Sequence, residues 1–359
     1  VTLDLTSLYQ TGRPYINMLV ILAAIMGVAP MLVWIERKYL AYYQQRVGPL
    51  YVGKFGILQS FADGIKLLTK EELIPKNADR LTYLVAPAIS MTAAFIGFAV
   101  IPITEAFYIT DVNVAVLLWL AMSSLGAYGV ILAGWSSGSK YPFLGCLRSC
   151  SQMISYELSL GTSILVPVLF AGTLSFKGIA LWWKESPLVA QGNWIYLIPL
   201  VIGFFVFLVS GFAETNRIPF DLPEAENELV AGYHTEYASM KFAMFFLGEY
   251  VAISAIAAIA VTAFLGAFNS PFIGFAFAKQ FSLEAVWGIW GRYLGQLFWF
   301  LVKWFALFWF FIWIRATLPR FRFDQLQRFG WYGLLPVSLV NLIIAALIVY
   351  SQASAGMAK

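Results

Sequence analysis

A single histidine and two cysteines in 359 residues leave little with which to hold a metal or build a disulfide framework. Cys146 and Cys150 lie four apart in a predicted helix, on one face, and read as small packing residues. Charge is scarce as well. Asp, Glu, Lys and Arg make up 12% of the chain, against about 25% in soluble domains. So few charges cannot cover a water-facing surface, which excludes a soluble enzyme and leaves the bilayer as the solvent. No flavin, nucleotide or iron–sulfur motif occurs, and neither a metal nor nucleic acid is an expected partner. No basic run precedes a short apolar core at the N-terminus, so no cleavable signal is expected. No linker divides the chain, and no internal repeat supports an inverted-repeat transporter.

What is abundant is apolar: 60% of residues are hydrophobic, with 31 Phe, 18 Tyr and 13 Trp. A spanning helix needs about 20 mostly apolar residues. Such stretches occur at 15–35, 81–103, 113–134, 145–171, 195–213, 240–265, 294–318 and 331–352. The expected fold is an all-α polytopic membrane protein, residues 1–359 forming one bundle of eight helices. An even number puts both termini on one side. Arg37, Lys38, Arg46, Lys54, Lys66, Lys70, Lys76 and Arg80 crowd the first loop, and Arg217, Arg315, Arg320, Arg322 and Arg328 lie on the same side. The opposite loops hold Arg13, Lys177, Lys184, Lys279 and Arg292 and look like plain connectors. The basic side is therefore expected to face the cytoplasm, with both termini on the far side.

The first loop also contains an amphipathic segment. Phe55, Leu58, Phe61, Ile65 and Leu68 recur at helical spacing, opposite Gln59, Asp63, Lys66 and Lys70. That pattern fits a helix lying in the interface plane, either as a plain anchor or as part of a site. Arg37, Arg46 and Lys54 sit beside Trp34, Tyr39, Tyr42, Tyr43 and Phe55. Basic and aromatic groups there suit the entrance for a polar-headed lipid such as a quinone, or equally the headgroups of anionic lipids.

Ionisable residues inside spans carry more information, because a charge at the bilayer centre costs about 2.5–3.5 kcal/mol. Glu157 lies about 18 Å along the fourth span and Glu249 about 14 Å along the sixth. Lys303 lies in the seventh span and Glu214 closes the fifth. Carboxylates without fixed counter-charges in such surroundings can exchange protons, as a relay requires. The alternative is an interhelical pair of Glu157 or Glu249 with Lys303. The loop AETNRIPFDLPEAENELVAGYHTEY holds Glu214, Asp221, Glu224, Glu226, Glu228 and Glu236 against Arg217 alone. Its prolines and interleaved apolar residues favour a segment that folds back into the protein over a solvated loop. His234 within it is either a proton carrier or an ordinary hydrogen-bonded residue.

These motifs occur together in one family. WIERK with QQRVGP, ADGIKLLTKE, GWSSGSKY, QMISYELSLG, AETNRIPFDLPEAE and WIRATLPRFRFDQL appear in its order, from about Trp34 to Asn341. The chain resembles the H-subunit family of bacterial complex I, the proton-pumping NADH:quinone oxidoreductase, equivalent to mitochondrial NADH dehydrogenase subunit 1. The resemblance implies eight spanning helices at the junction of membrane and hydrophilic arms of a bacterial inner, energy-transducing membrane. It implies a tunnel for ubiquinone or menaquinone. FMN and iron–sulfur clusters would lie in partner subunits, with no cofactor on this chain. The implied partners are hydrophilic quinone-reducing and iron–sulfur subunits, antiporter-like and small membrane subunits, and membrane lipids. By motif, Glu157, Glu214, Glu224, Glu226, Glu228 and Glu249 match the proton path. Arg37, Arg46, Asp63, Arg217 and Phe220 match the tunnel and its loops. Lys303 and Arg315 match basic positions of the seventh span. The segment LYVGKFG departs from the family's asparagine–arginine and PFG, so a basic residue expected at the tunnel mouth is missing; Lys54, beside Phe55, is its nearest substitute. Cousins of this family serve complexes with a hydrogenase, coenzyme F420 or ferredoxin donor. A stand-alone ion transporter is the competing reading from another class, and a passive anchor would have no need of intramembrane acids.

Overall fold

A computed structural model describes residues 5–185, 194–221, 230–270 and 283–357, and the described residues are helices and connecting turns without a strand. The helices are α1 (Leu5–Tyr43), α2 (Gln59–Thr69), α3 (Arg80–Ala99), α4 (Ala115–Ser136), α5 (Lys140–Ala171), α6 (Phe176–Glu185), α7 (Leu197–Glu214), α8 (Ser239–Phe264), α9 (Leu283–Thr317), α10 (Phe323–Arg328) and α11 (Leu335–Met357). A π-helical turn, Phe329–Leu334, joins the last two into one span. Among the described residues, eight helices are long and apolar enough to cross a membrane, one for each expected stretch.

Boundaries differ from the expected ones for identifiable reasons. α1 runs on to Tyr43 because ERKYLAYY contains no helix breaker, although it is too polar to count as apolar span. α3 stops at Ala99, since Pro102 disfavours helix in the residues before it. α5 ends on Gly172, whose φ of +65° makes it a left-handed cap. The connector between the fourth and fifth spans is not plain. α6 forms there, and Phe176, Ile179 and Ala180 are fully buried in the core.

α8 is the axis of the bundle. Its most apolar stretch is 72% buried, against 22% for the last span. The reason is its composition: from Val251 to Phe264 it carries small and apolar residues on every side, so every side seeks a neighbour. α3 and α4 pack closely because Gly129 has no Cβ; one would lie 2.9 Å from the Ser90 backbone nitrogen. α2 is the exception to this packing. It has no buried residue, and Phe61, Ile65 and Leu68 are all more than half exposed.

Candidate functional site: a file of carboxylates

The first group of acids forms where α1, α8, α9 and the turn after α7 meet. Glu36 is 4% exposed and accepts a hydrogen bond from the Tyr250 hydroxyl at 2.6 Å. Arg315 of α9 is ion-paired with it. Arg217 lies between two acids, with Nη1 3.5 Å from Glu36 and Nε 2.6 Å from Glu249, and its guanidinium stacks 4.5 Å from the Tyr250 ring. Two carboxylates and two guanidiniums make a neutral cluster, the arrangement in which buried charge is tolerated. Ile253, Phe308, Phe311 and Ile312 wall it in.

Glu249 also faces a cavity of about 90 Å³, lined among others by Ser123, Tyr233, Met153, Glu214 and Glu249. At about 30 Å³ per water, that is room for a few water molecules between the two acids. Beyond it the chemistry changes. Ser123 donates to Glu214 and the adjacent Ser124 donates to Glu157. Glu214 Oε2 is buried with no hydrogen-bond partner among the described residues. Glu157 is half-buried on α5. Consecutive serines on α4 thus hold one carboxylate from α7 and one from α5.

Of the sequence candidates, Glu157, Glu214, Glu249, Arg217 and Arg315 come together in this file. Glu224, Glu226 and Glu228 lie outside the described residues. One expectation needs correction, and the alternative pairing with Lys303 does not form. Glu249 does have a counter-charge, Arg217, because the turn after α7 folds inward beside it. Lys303 is no partner of either acid: its ammonium donates to the carbonyls of Leu265, Ala267 and Asn269 at 2.7, 3.0 and 2.6 Å, capping the end of α8.

The loop residues divide. Arg37 pairs with Asp63 at 2.5 Å, joining α1 to α2, and Gln59 donates to Asp63 at 3.2 Å. The Trp34 indole donates to the Phe55 carbonyl at 3.3 Å. The Phe55 ring is exposed, with Lys54 5.9 Å above it. Arg46 is exposed and donates to Gln44 at 2.7 Å. Phe220 is buried between Tyr156 and Phe321, each ring 5.6 Å away. Asp221 pairs with Arg320 at 3.0 Å. His234 is buried among Tyr233, Phe242 and Phe245. Cys146 is a buried free thiol, so close to α4 that a Cβ on Gly134 would meet its sulfur at 2.5 Å.

Four residues of the site are not legible as such in the sequence. Glu36 sits inside WIERK, where basic neighbours obscure it; an acid directly after Trp34 and Ile35 is the available signal. Tyr250, Ser123 and Ser124 are common residue types in membrane helices and carry no signal beyond their mid-span position.

Residues 16–346 match the family model described as NADH dehydrogenase. A relative from Rickettsia canadensis, the H subunit of its NADH-quinone oxidoreductase, is 46% identical over 88% of this chain and 87% of its own. The second NADH-quinone oxidoreductase H subunit of Koribacter versatilis is 42% identical over 93% and 96%. The first such H subunit of Solibacter usitatus is 41% identical over 92% and 95%. The chain therefore belongs to the NADH dehydrogenase family, among the H subunits of NADH-quinone oxidoreductase.

Proposed function

We propose that this membrane subunit of NADH-quinone oxidoreductase lines the access route of the quinone and couples quinone reduction to proton movement through its buried carboxylates. The observation that carries the reading is the cavity joining Glu249 to Glu214, with the serine pair leading on to Glu157. Quinone would approach along the exposed apolar face of α2 and the end of α1, near Arg37, Asp63, Arg46, Lys54 and Phe55. Reduction there takes up protons or shifts charge. Arg217 is the natural transducer, since it touches both Glu36 and Glu249 and lies in the turn leading into the acidic loop. Any displacement of that turn alters how far Glu249 is held as an anion, and thus its readiness to exchange a proton with the cavity.

In this reading the basic loops face the cytoplasm of a bacterial inner membrane. Flavin and iron–sulfur clusters belong to hydrophilic partner subunits, and antiporter-like and small membrane subunits take over the proton signal beyond Glu157. Glu224, Glu226 and Glu228 would extend the file on the quinone side.

Glu157→Gln and Glu249→Gln, each in the whole complex, provide the test. Coupled NADH:quinone turnover and proton pumping in vesicles should fall at least about tenfold, a loss of roughly 1.4 kcal/mol or more in the coupled step, while the complex still assembles. Full pumping in both variants would sink the relay.

A further inference from the structure

α2 poses a physical problem. Phe61, Ile65 and Leu68 are exposed, Ala62 and Leu67 only half-buried, and no residue is fully buried, so hydrophobic packing within this chain holds it weakly. Polar ties remain. One set, Arg37 to Asp63 and Trp34 to the Phe55 carbonyl, fastens its first part and the turn before it to α1. The other is at its C-terminal end, where a helix leaves carbonyls without intrahelical donors. There Ser239 Oγ lies 2.9 Å from the Leu67 carbonyl and 2.9 Å from that of Lys70, its single proton shared between them. Two residues on, Lys241 lies 3.3 Å from Glu72, just past the end of α2, with its ammonium 5.2 Å from the Tyr83 ring.

The seat is firm. Ser239 is 2% exposed, and the residues around it are buried: Tyr237 stacks on Tyr83 with ring centroids 4.2 Å apart, and Phe245 closes the edge. It is also strained. Ser239 has a φ of +59°, a left-handed conformation that glycine adopts freely and serine does not. A side chain kept at such a position points to the hydroxyl as the reason.

We infer that Ser239 and Lys241 are positioning residues that fix α2 to the start of α8 and thereby set the affinity for quinone. Neither touches the reacting atoms. They act through α2, and because Ser239 directly follows residues 230–238 of the acidic loop, the same tie links that loop to the quinone's access route. The inference rests on the proposed role of α2 in admitting quinone.

The test uses the purified whole complex with Ser239→Ala, Ser239→Gly and Glu72→Gln in this chain. Ser239→Gly removes the hydroxyl but suits the backbone, so it separates the tie from the strain. Glu72 is half exposed, so its replacement by Gln weakens the second tie without threatening the fold. Amide hydrogen exchange of residues 59–70 reads α2 directly, and the KM for a short-chain quinone reads function. Faster exchange in all three variants is expected. KM should rise roughly three- to tenfold for the serine variants, the scale of one lost hydrogen bond, and less for Glu72→Gln, with kcat nearly constant. Unchanged exchange in Ser239→Gly would overturn the tie. Faster exchange with an unchanged KM would overturn the positioning role, and would place the fault in the reading of α2 as quinone access. A fall in kcat at constant KM would show a defect in coupling and overturn it too.

Discussion

The two halves of the carboxylate file solve the same problem in different ways. Glu36 and Glu249 are neutralised by Arg217 and Arg315. Among the described residues, Glu214 and Glu157 have only Ser123 and Ser124. A guanidinium donates and never accepts, so it favours the anion alone. A serine hydroxyl donates to a carboxylate and accepts from a carboxylic acid, and so serves both forms after a rotation of one bond. The arginine half is built to hold charge. The serine half suits a carboxylate in either protonation state, as the proposed relay requires.

Arg217→Met attacks this difference most directly and should have the largest effect. It leaves two buried carboxylates with one guanidinium, a loss on the order of 3–5 kcal/mol for a broken buried pair. Recovery of assembled complex and its thermal unfolding should both fall sharply, and Arg217→Lys should restore only part. Near-normal stability in Arg217→Met would mean that the cluster's charge is not held as the geometry implies.

Ser123→Ala and Ser124→Ala should be milder. Each removes one hydrogen bond, about 0.5–1.5 kcal/mol. Assembly should survive, while proton pumping falls a few-fold and the double variant falls further. An effect on stability as large as that of Arg217→Met would erase the distinction between the halves.

The smallest effect belongs to Glu105, a paired acid outside the spans that serves as a control. It lies 2.5 Å from Arg292 and 3.3 Å from Lys184 and accepts from Gln296 at 3.2 Å. Burial alone would raise its carboxyl, but Gln296, Lys184 and Arg292 outweigh it and hold the group below its ordinary value of 4.5. A depressed folded-state value means that the stabilisation is complete above 4.5 and fades as pH falls through the lowered value. Glu105→Gln should therefore cost up to about 1 kcal/mol at neutral pH and progressively less under acid. Thermal unfolding of variant and parent across pH 3–7 measures the difference. A constant gap across that range would show that the ion pairs are not its source.

The spans were legible because the bilayer leaves no alternative to about 20 apolar residues per helix. Glu157 and Glu249 stood out for the same reason, as charges where charge is costly. Glu36 did not, because the apolar signal ends at Ile35 while the helix itself continues to Tyr43. The alternative of a Lys303–carboxylate pair arises because sequence names side chains only; the partners of Lys303 are backbone carbonyls at the end of α8. α6 was missed because ten residues between turns are too short for periodicity to decide. Ser239 gave no sign at all, since its importance lies in a backbone angle and in two carbonyls far away in sequence.

The neutrality of the Glu36–Arg217–Glu249–Arg315 cluster has an electrical consequence. A group with no net charge projects little field, and so leaves distant ionisable residues alone. One proton on Glu249 turns it into a net cation. At an effective dielectric of about 20, a unit charge shifts another roughly 10 Å away by about 1.7 kcal/mol, more than tenfold in an ionisation equilibrium. On the proposed relay, protonation of Glu249 would thus be felt by ionisable groups about 10 Å away with no helix having to move.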